Sequence, residues 1–485
     1  MLPWTQAFIE RCAFDKVITN SRLYQLEHLP PMISDVCLQS APDELGQHVK
    51  ASLLNGHTVR SEVIPMPRGT SGDRPIIHTD LATRVAYAAL VSLTKDVTEA
   101  DSRSLPARRD FQEFGSEPSQ DAAEHEQSTH VLIADIAACY EYIVPELLTD
   151  ELLLRTDDYP LVERIKDLLT ELSTLGRGIP QMLPPSDRLA DIYLSKIDRA
   201  LSRANLEWRR TADDYKIISD WPGTNSALEL LEREVRAAGL ILSADKTRVV
   251  RRGTSAIARM SGGGADGEPD SDETTDIDTA DALLEWHSDW KQERGQKRVE
   301  PPPASDINDV NDIRSLGPEV ISDIVFAHRP HLEYVIKMLH QSADSDPDSL
   351  VTAPAFLKML ESRNLNAWEI LWIMHGADKL STSSFKDQIG TRCRDLAKLA
   401  LQDGHESVRV QAGWFLAKNY SLTVNQVRQL HVRSSQMTSP GVSAVASLIA
   451  GRSTSQKKEL EQVAVAIASE SVLNKRAAVW AKPVE

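Results

Sequence analysis

Hydrophobic positions change their period several times along the chain, and each change predicts a different element. In "HVLIADIAACYEYI" the residues leading to Asp135 form an unbroken apolar run of strand length. The stretch "WRRTADDYKIIS" reads as two strands on either side of an Asp-Asp pair. Between them, "LVERIKDLLTELSTL" and "SDRLADIYLSKIDRALSRA" place apolar residues at i, i+3, i+4 and i+7, the spacing of amphipathic helices. A further helix is expected in "NSALELLEREVRAAG" and a strand across "LILSADKTRVVRR". This order of strand, helices, hairpin, helix and strand is that of an α+β domain with helices packed on an antiparallel sheet.

Periodicity stops near residue 260. "SGGGADGEPDSDETTDIDTADA" is rich in Gly, Asp and Thr, the composition of an acidic linker, and "KRVEPPPASD" sets three prolines in a row, which forbid helix. Between them "ALLEWHSDWKQERG" fits one short helix. The chain therefore divides into 1–254, a connector 255–310 and a third segment 311–485. Helical spacing returns in "RCRDLAKLALQDGHESVRVQAGWFLAKNY", where Val408, Ala412 and Leu416 recur four apart. "ESVRVQAGWFLA" resembles the second helix of a HEAT-type repeat, with weaker echoes in "NAWEILWIMHGADKL" and "SVLNKRAAVWA". Stacked helical pairs are expected, an irregular helical bundle being the alternative.

Composition adds exclusions. The 485 residues suffice for two or three domains, and 41% hydrophobic with 26% charged residues is ordinary for a globular protein. The longest apolar runs, "AYAALVSL" and "VAVAIA", fall far short of the roughly 20 residues of a membrane span. The N-terminal stretch has no basic lead or small-residue cleavage site, so a cytoplasmic location without membrane contact is expected. Cys12, Cys37, Cys139 and Cys393 lack any paired spacing and read as small buried hydrophobes. A formal net charge of -17 runs against binding nucleic acid through a broad basic surface.

The candidate chemistry is acidic. Asp135 ends an apolar strand, and Asp213 and Asp214 lie in a hairpin; alone, the first reads as a helix cap and the pair as a solvated turn. If the two strands are neighbours, the carboxylates converge, and like charges so close call for a cation between them. Oxygen ligands point to Mg2+ or Mn2+, and paired ions of that kind serve nucleotidyl transfer.

Taken in order, "VLIADIAACYEYI", "GRGIPQMLPPSDRLADIYLSKID", "RRTADDYKII" and "AGLILSADKT" resemble the successive palm motifs of reverse transcriptases. Upstream, "VIPMPRGTSGDRPIIHTDLATRVAYAAL" resembles their fingers segment, so the likeness is collinear over five blocks. It implies polymerase fingers and palm followed by an all-α HEAT-like domain. It further implies that Asp135, Asp213 and the backbone carbonyl of Ile136 bind the metal ions and that Asp214 completes the acidic set. Tyr140 would be the steric gate beneath the sugar, with a core aromatic as the plainer reading. Arg68 and Arg74 would grip the triphosphate of a dNTP, although "RGTSGDR" is also an ordinary hairpin tip. Gln181 and Ser186 would lie beside the incoming nucleotide. Lys246 would be the general acid toward pyrophosphate, or else a surface lysine. Two departures stand out: Met182 where the family has Gly after Pro-Gln, and Thr211 where it has an aromatic residue before the aspartates.

A palm joined to helical repeats, without a basic thumb stripe, maturase or integrase module, is similar to bacterial abortive-infection and defence-associated reverse transcriptases. That likeness implies antiphage activity, single-stranded DNA made from dNTPs without a conventional template, protein priming and a homo-oligomer. An RNA template or non-coding RNA is a further implied partner. Two other readings stay open: a decayed palm acting as an interaction scaffold, and a short-oligonucleotide synthase or cyclase with shared two-metal chemistry.

Overall fold

The computed structural model describes residues 3–68, 72–94, 102–116, 129–173, 176–253, 320, 332–333, 335–337, 360, 365–380 and 386–482. The chain divides into two units, one from residues 1–13 and 86–267, the other from 14–85 and 268–485. These units differ from the contiguous segments expected from composition, because residues 14–85 assemble with the C-terminal helices. The connector 255–310, with its expected short helix, lies outside the described residues. No helix among the described residues is long and apolar enough to cross a membrane.

The second unit starts with short helical turns and helix α1 (Pro42–Leu54), which buries Leu45, Val49 and Leu53 at four-residue intervals. An antiparallel hairpin follows, β1 (Ser61–Pro67) paired with β2 (Asp73–Thr79), with Ile64 and Ile76 opposed and buried. Pro65, Pro67 and Pro75 remove ladder donors, which suits a two-stranded ribbon better than a central strand. Helix α2 (Leu81–Ser92) carries the buried Arg84, whose guanidinium donates to the Leu23 carbonyl (2.8 Å) and to Asp35 Oδ1 (2.6 Å).

The first unit holds helix α3 (Leu105–Glu113), strand β3 (His130–Asp135), helix α4 (Pro184–Arg203), the β4 (Glu207–Thr211) and β5 (Asp214–Ser219) hairpin, helix α5 (Trp221–Ala237) and strand β6 (Arg248–Arg251). The strands form one sheet in the order β4-β5-β3-β6, with every neighbour antiparallel. Alternation sorts the side chains between its faces. Val131 and Ile218 pack with Phe114, while the intervening Leu132, Ala134, Tyr215 and Ile217 are equally buried. Helix α5 packs on β3 and β5, and α4 on β4. The helix begins at Trp221, earlier than its apolar spacing predicts, because Asp220 Oδ1 accepts the Gly223 amide (2.6 Å) and Pro222 fits the first turn. The strand expected across "LILSADKTRVVRR" is interrupted. Leu242 makes one bridge to Ile136, the Thr247 amide closes a turn on the Ser243 carbonyl (2.9 Å), and pairing resumes only at β6. Lys216, on β5, is buried and donates to the carbonyls of Phe111 (2.6 Å) and Gln112 (3.2 Å) at the end of α3; burial pushes its pKa down to about 8.

In the C-terminal part, alternate helices stack: α6 (Ala367–Leu380) on α7 (Glu406–Asn419), α7 on α8 (Ser439–Arg452), and α8 on α9 (Val472–Trp480). Val408, Ala412 and Leu416 are buried, but so are Val410 and Phe415, so α7 is enclosed on more than the one face its spacing predicts. Helix α8 packs on the short helix Ile33–Val36, and Trp368 and Trp372 both donate to the His28 carbonyl (2.6 and 3.2 Å). A further stitch is Glu62. Helix α7 receives no side-chain cap from its own His405, and Glu62 of β1 accepts the amides of Glu406 (2.7 Å) and Ser407 (3.1 Å) instead. Burial alone would raise the Glu62 pKa, but His78 and Ser407 outweigh it and hold the carboxyl below its ordinary range. Glu62→Ala is expected to cost about 2–4 kcal/mol, since it uncaps a buried helix end and leaves His78 short of a partner. A lowered urea midpoint, followed by the fluorescence of Trp368 and Trp372, measures this; Glu62→Gln should recover part of the loss.

Candidate active site

Asp135 is the last residue of β3 and Asp214 the first of β5, and the antiparallel register sets them directly opposite each other. Asp213 occupies the two-residue turn between β4 and β5. The turn closes because Ala212 adopts φ +50°, a left-handed conformation that costs an L-residue about 1–2 kcal/mol. The Ile136 amide donates to the Asp213 carbonyl (3.2 Å), and the Asp135 carbonyl accepts the Ser243 amide (2.7 Å). The turn after Leu242 then delivers Lys246, whose Nζ lies 2.9 Å from Asp135 Oδ1. Asp135, Ile136, Asp213, Asp214 and Lys246 thus come together from three separate stretches of chain.

Their electrostatics are unfavourable as they stand. Burial, and after it the charge of Asp135, raises the pKa of Asp213; its own backbone hydrogen bond, Arg103 and Lys246 offset part of this. Asp214 is pushed up to about 7, first by burial and then by Asp213 and Asp135, with Lys246 again opposing.

A second layer of charge holds the hairpin in this position. Arg210 of β4 donates through Nε and Nη2 to Asp198 (2.8–3.1 Å), and through Nη1 to Asp191 Oδ1 (2.7 Å) and the Ala212 carbonyl (2.8 Å). Tyr215 Oη also donates to Asp198 (3.0 Å). Ser102 Oγ donates to Asp191 (2.6 Å) and accepts the Ala212 amide (3.2 Å), while Thr211 Oγ1 donates to the Ser102 carbonyl (3.0 Å). Sequence reasoning missed these supports. A signal was present, since Asp187, Asp191 and Asp198 recur along an otherwise amphipathic helix and Arg209-Arg210 precede the aspartates, but pairing them needs the tertiary fold.

The remaining expected residues fall in different places. Tyr140 lies on the helical turn Cys139–Tyr142, half-buried, with its hydroxyl engaged by Asp187 and Arg103. Gln181 is buried and donates to Glu141 Oε1 (3.3 Å) of the same turn. Between them the loop comes close: Gly178 has φ +87°, and a Cβ there would meet the Glu141 carbonyl at 2.9 Å and the Tyr140 carbonyl at 3.0 Å. Met182 has φ +62°, so the backbone takes the conformation glycine favours even though the residue is not glycine. Ser186 is fully buried, its Oγ 2.8 Å from Tyr87 Oη. Arg68 and Arg74 belong to the hairpin of the other unit. There Arg68 is exposed, with its amide on the Gly72 carbonyl (2.9 Å), and Arg74 pairs with Met66.

No family model and no curated protein matches the chain. Among solved structures it is similar to telomerase from Candida albicans in complex with a fragment of telomeric RNA, at 13% identity and a TM-score of 0.30. The alignment covers 69% of this chain and 64% of that one, so the chain spans less than two thirds of its length. A likeness this slight does not establish a shared fold.

Among the described residues no three His, Cys, Asp or Glu side chains are grouped as a ready metal cage. The donor chemistry nevertheless fits a hard divalent cation: the carboxylates carry excess negative charge, and the Lys246 ammonium already stands against Asp135 as a cation would. Asp135, Asp213, Asp214 and the Ile136 carbonyl are the groups that could hold one. Because the raised Asp214 pKa means that the folded state holds a proton the unfolded chain has released, the contribution to stability is full below about pH 4 and is lost as pH rises through about 7. Thermal unfolding of metal-free protein between pH 4 and 8 should show this decline, and Asp214→Asn should flatten it. Gly178→Ala should lower the melting temperature, by about 1–3 kcal/mol in stability, because the methyl has only backbone to push against.

Proposed function

We propose that the protein is a two-metal DNA polymerase of the reverse-transcriptase type. One observation carries the reading: Asp135 and Asp214 are directly opposed at one end of an antiparallel sheet, beside Asp213 and Lys246, in the order of the motifs that resemble a palm. Bound Mg2+ or Mn2+ would activate an attacking hydroxyl and stabilise the leaving pyrophosphate. In this reading Asp135 and Asp213, with the Ile136 carbonyl, hold the cations and Asp214 completes the acidic set. Lys246 carries a proton at Nζ for the departing phosphate, and Tyr140 and Gln181 shape the nucleotide site. Arg68 and Arg74 take the triphosphate.

We further propose that the product is single-stranded DNA, made from dNTPs without a conventional template, primed from protein, and used in bacterial antiphage defence by a cytoplasmic homo-oligomer. The stacking of alternate C-terminal helices supports a HEAT-like array as the second part of that architecture. Purified protein given Mg2+ and labelled dNTPs should build acid-insoluble DNA. Asp213→Ala with Asp214→Ala should reduce the rate at least about 10³-fold, a loss of about 4 kcal/mol of transition-state stabilisation. Undiminished synthesis by the double variant would overturn the site. Products of only a few nucleotides would favour a short-oligonucleotide synthase, and neither product nor calorimetric Mg2+ binding with dNTP would leave a scaffold.

A further inference from the structure

Tyr140 is held more firmly than a ring acting by bulk alone would need. Its main chain is fixed by the loop beside it, with the Ile179 amide donating to the Tyr140 carbonyl (2.8 Å) and the Gly178 amide to the Ile143 carbonyl (2.7 Å). The side chain is fixed separately. Tyr140 Oη donates to Asp187 Oδ1 (2.5 Å) and accepts from Arg103 Nη2 (2.5 Å). Arg103 closes the triangle, with its Nε 3.6 Å from the same Asp187 oxygen and its guanidinium carbon 5.7 Å from the centre of the Tyr140 ring. Asp187 stands in the first turn of α4, where the helix dipole favours its charge. Arg103 is also within 3.5 Å of Asp191, so the triangle is tied to the network that braces the Asp213 hairpin.

The phenol's proton and the lone pair facing Arg103 are thus both committed to a charged pair, and such bonds are short and strong. An aromatic wall needs no hydroxyl to exclude an atom by bulk. A hydroxyl anchored to two opposite charges instead removes the ring's freedom to tilt away from a larger ligand. We propose that Arg103 and Asp187 are positioning residues that lock the Tyr140 ring and thereby set selection of the nucleotide sugar against ribose. This rests on the polymerase reading above. It assigns discrimination to the lock as well as to the ring.

The test compares full-length protein with Tyr140→Phe, Asp187→Asn and Arg103→Lys. Each is assayed for the ratio of kcat/KM with dATP to that with ATP, and for calorimetric affinity for the same two nucleotides. Tyr140→Phe keeps the ring and loses both anchors, so the ratio should fall about tenfold. Asp187→Asn should fall similarly, and Arg103→Lys, which keeps a cationic donor, should lie between these and the native protein. Circular dichroism and melting temperature confirm that each variant is folded; if Tyr140→Phe does not fold, Asp187→Asn decides. Unchanged ratios in folded variants overturn the lock and leave the polymerase reading intact. Native protein that neither binds nor incorporates either nucleotide overturns both.

Discussion

Three carboxylates brought to one strand end set the constraint that the rest of the first unit has to meet. Asp135 and Asp214 are opposed by the β3–β5 register, and Asp213 is added by a two-residue turn in which Ala212 is left-handed. Like charges opposed across a ladder destabilise it, and burial adds to the cost. Such a cluster persists only where its backbone is held from outside. The bonds of Ile136 to Asp213 and of Asp135 to Ser243 are part of that hold, and they involve the segments that follow β3 and precede β6. The raised pKa values of Asp213 and Asp214 record that cost.

Compensation is arranged in layers. Lys246 stands directly on Asp135, and its side chain is 57% exposed. Behind the hairpin, Arg210 is locked between Asp198 and Asp191, almost fully enclosed, and is fixed by geometry as much as by charge. Arg103 belongs to both layers, since it joins Tyr140 and Asp187 while its charge also favours ionised Asp213. Exposed charge therefore meets the site, and buried charge supports it.

The second unit solves a different problem, that of joining segments far apart in sequence. A strand residue, Glu62, caps a helix more than three hundred residues later, and His28 offers its carbonyl to two tryptophans of another. The β1–β2 hairpin, with Arg74 on β2 and Arg68 just beyond β1, is therefore anchored on C-terminal helices.

Local pattern was enough for the elements. Apolar spacing gave the helices Tyr159–Leu172 and Pro184–Arg203, the apolar run gave β3, and the flanks of Asp213-Asp214 gave the hairpin. The acidic cluster was legible too, because Asp135 closes an apolar run and Asp213-Asp214 sit between two strand-forming stretches. The interrupted strand before β6 was not, since "SADKT" carries no Gly or Pro and its turn is closed by the Thr247 amide on the Ser243 carbonyl. Nor were the partners of Arg210, Arg103 and Tyr140 legible. Each pair is distant in sequence, and polar residues on an amphipathic helix look solvated until another element covers them. By itself the sequence determined which residues are strand, helix and acid, through period and chemical type. The tertiary structure alone decided the register that opposes Asp135 to Asp214, the cations that brace them, and the assembly of residues 14–85 with the C-terminal helices, because long-range pairing leaves no local period to read.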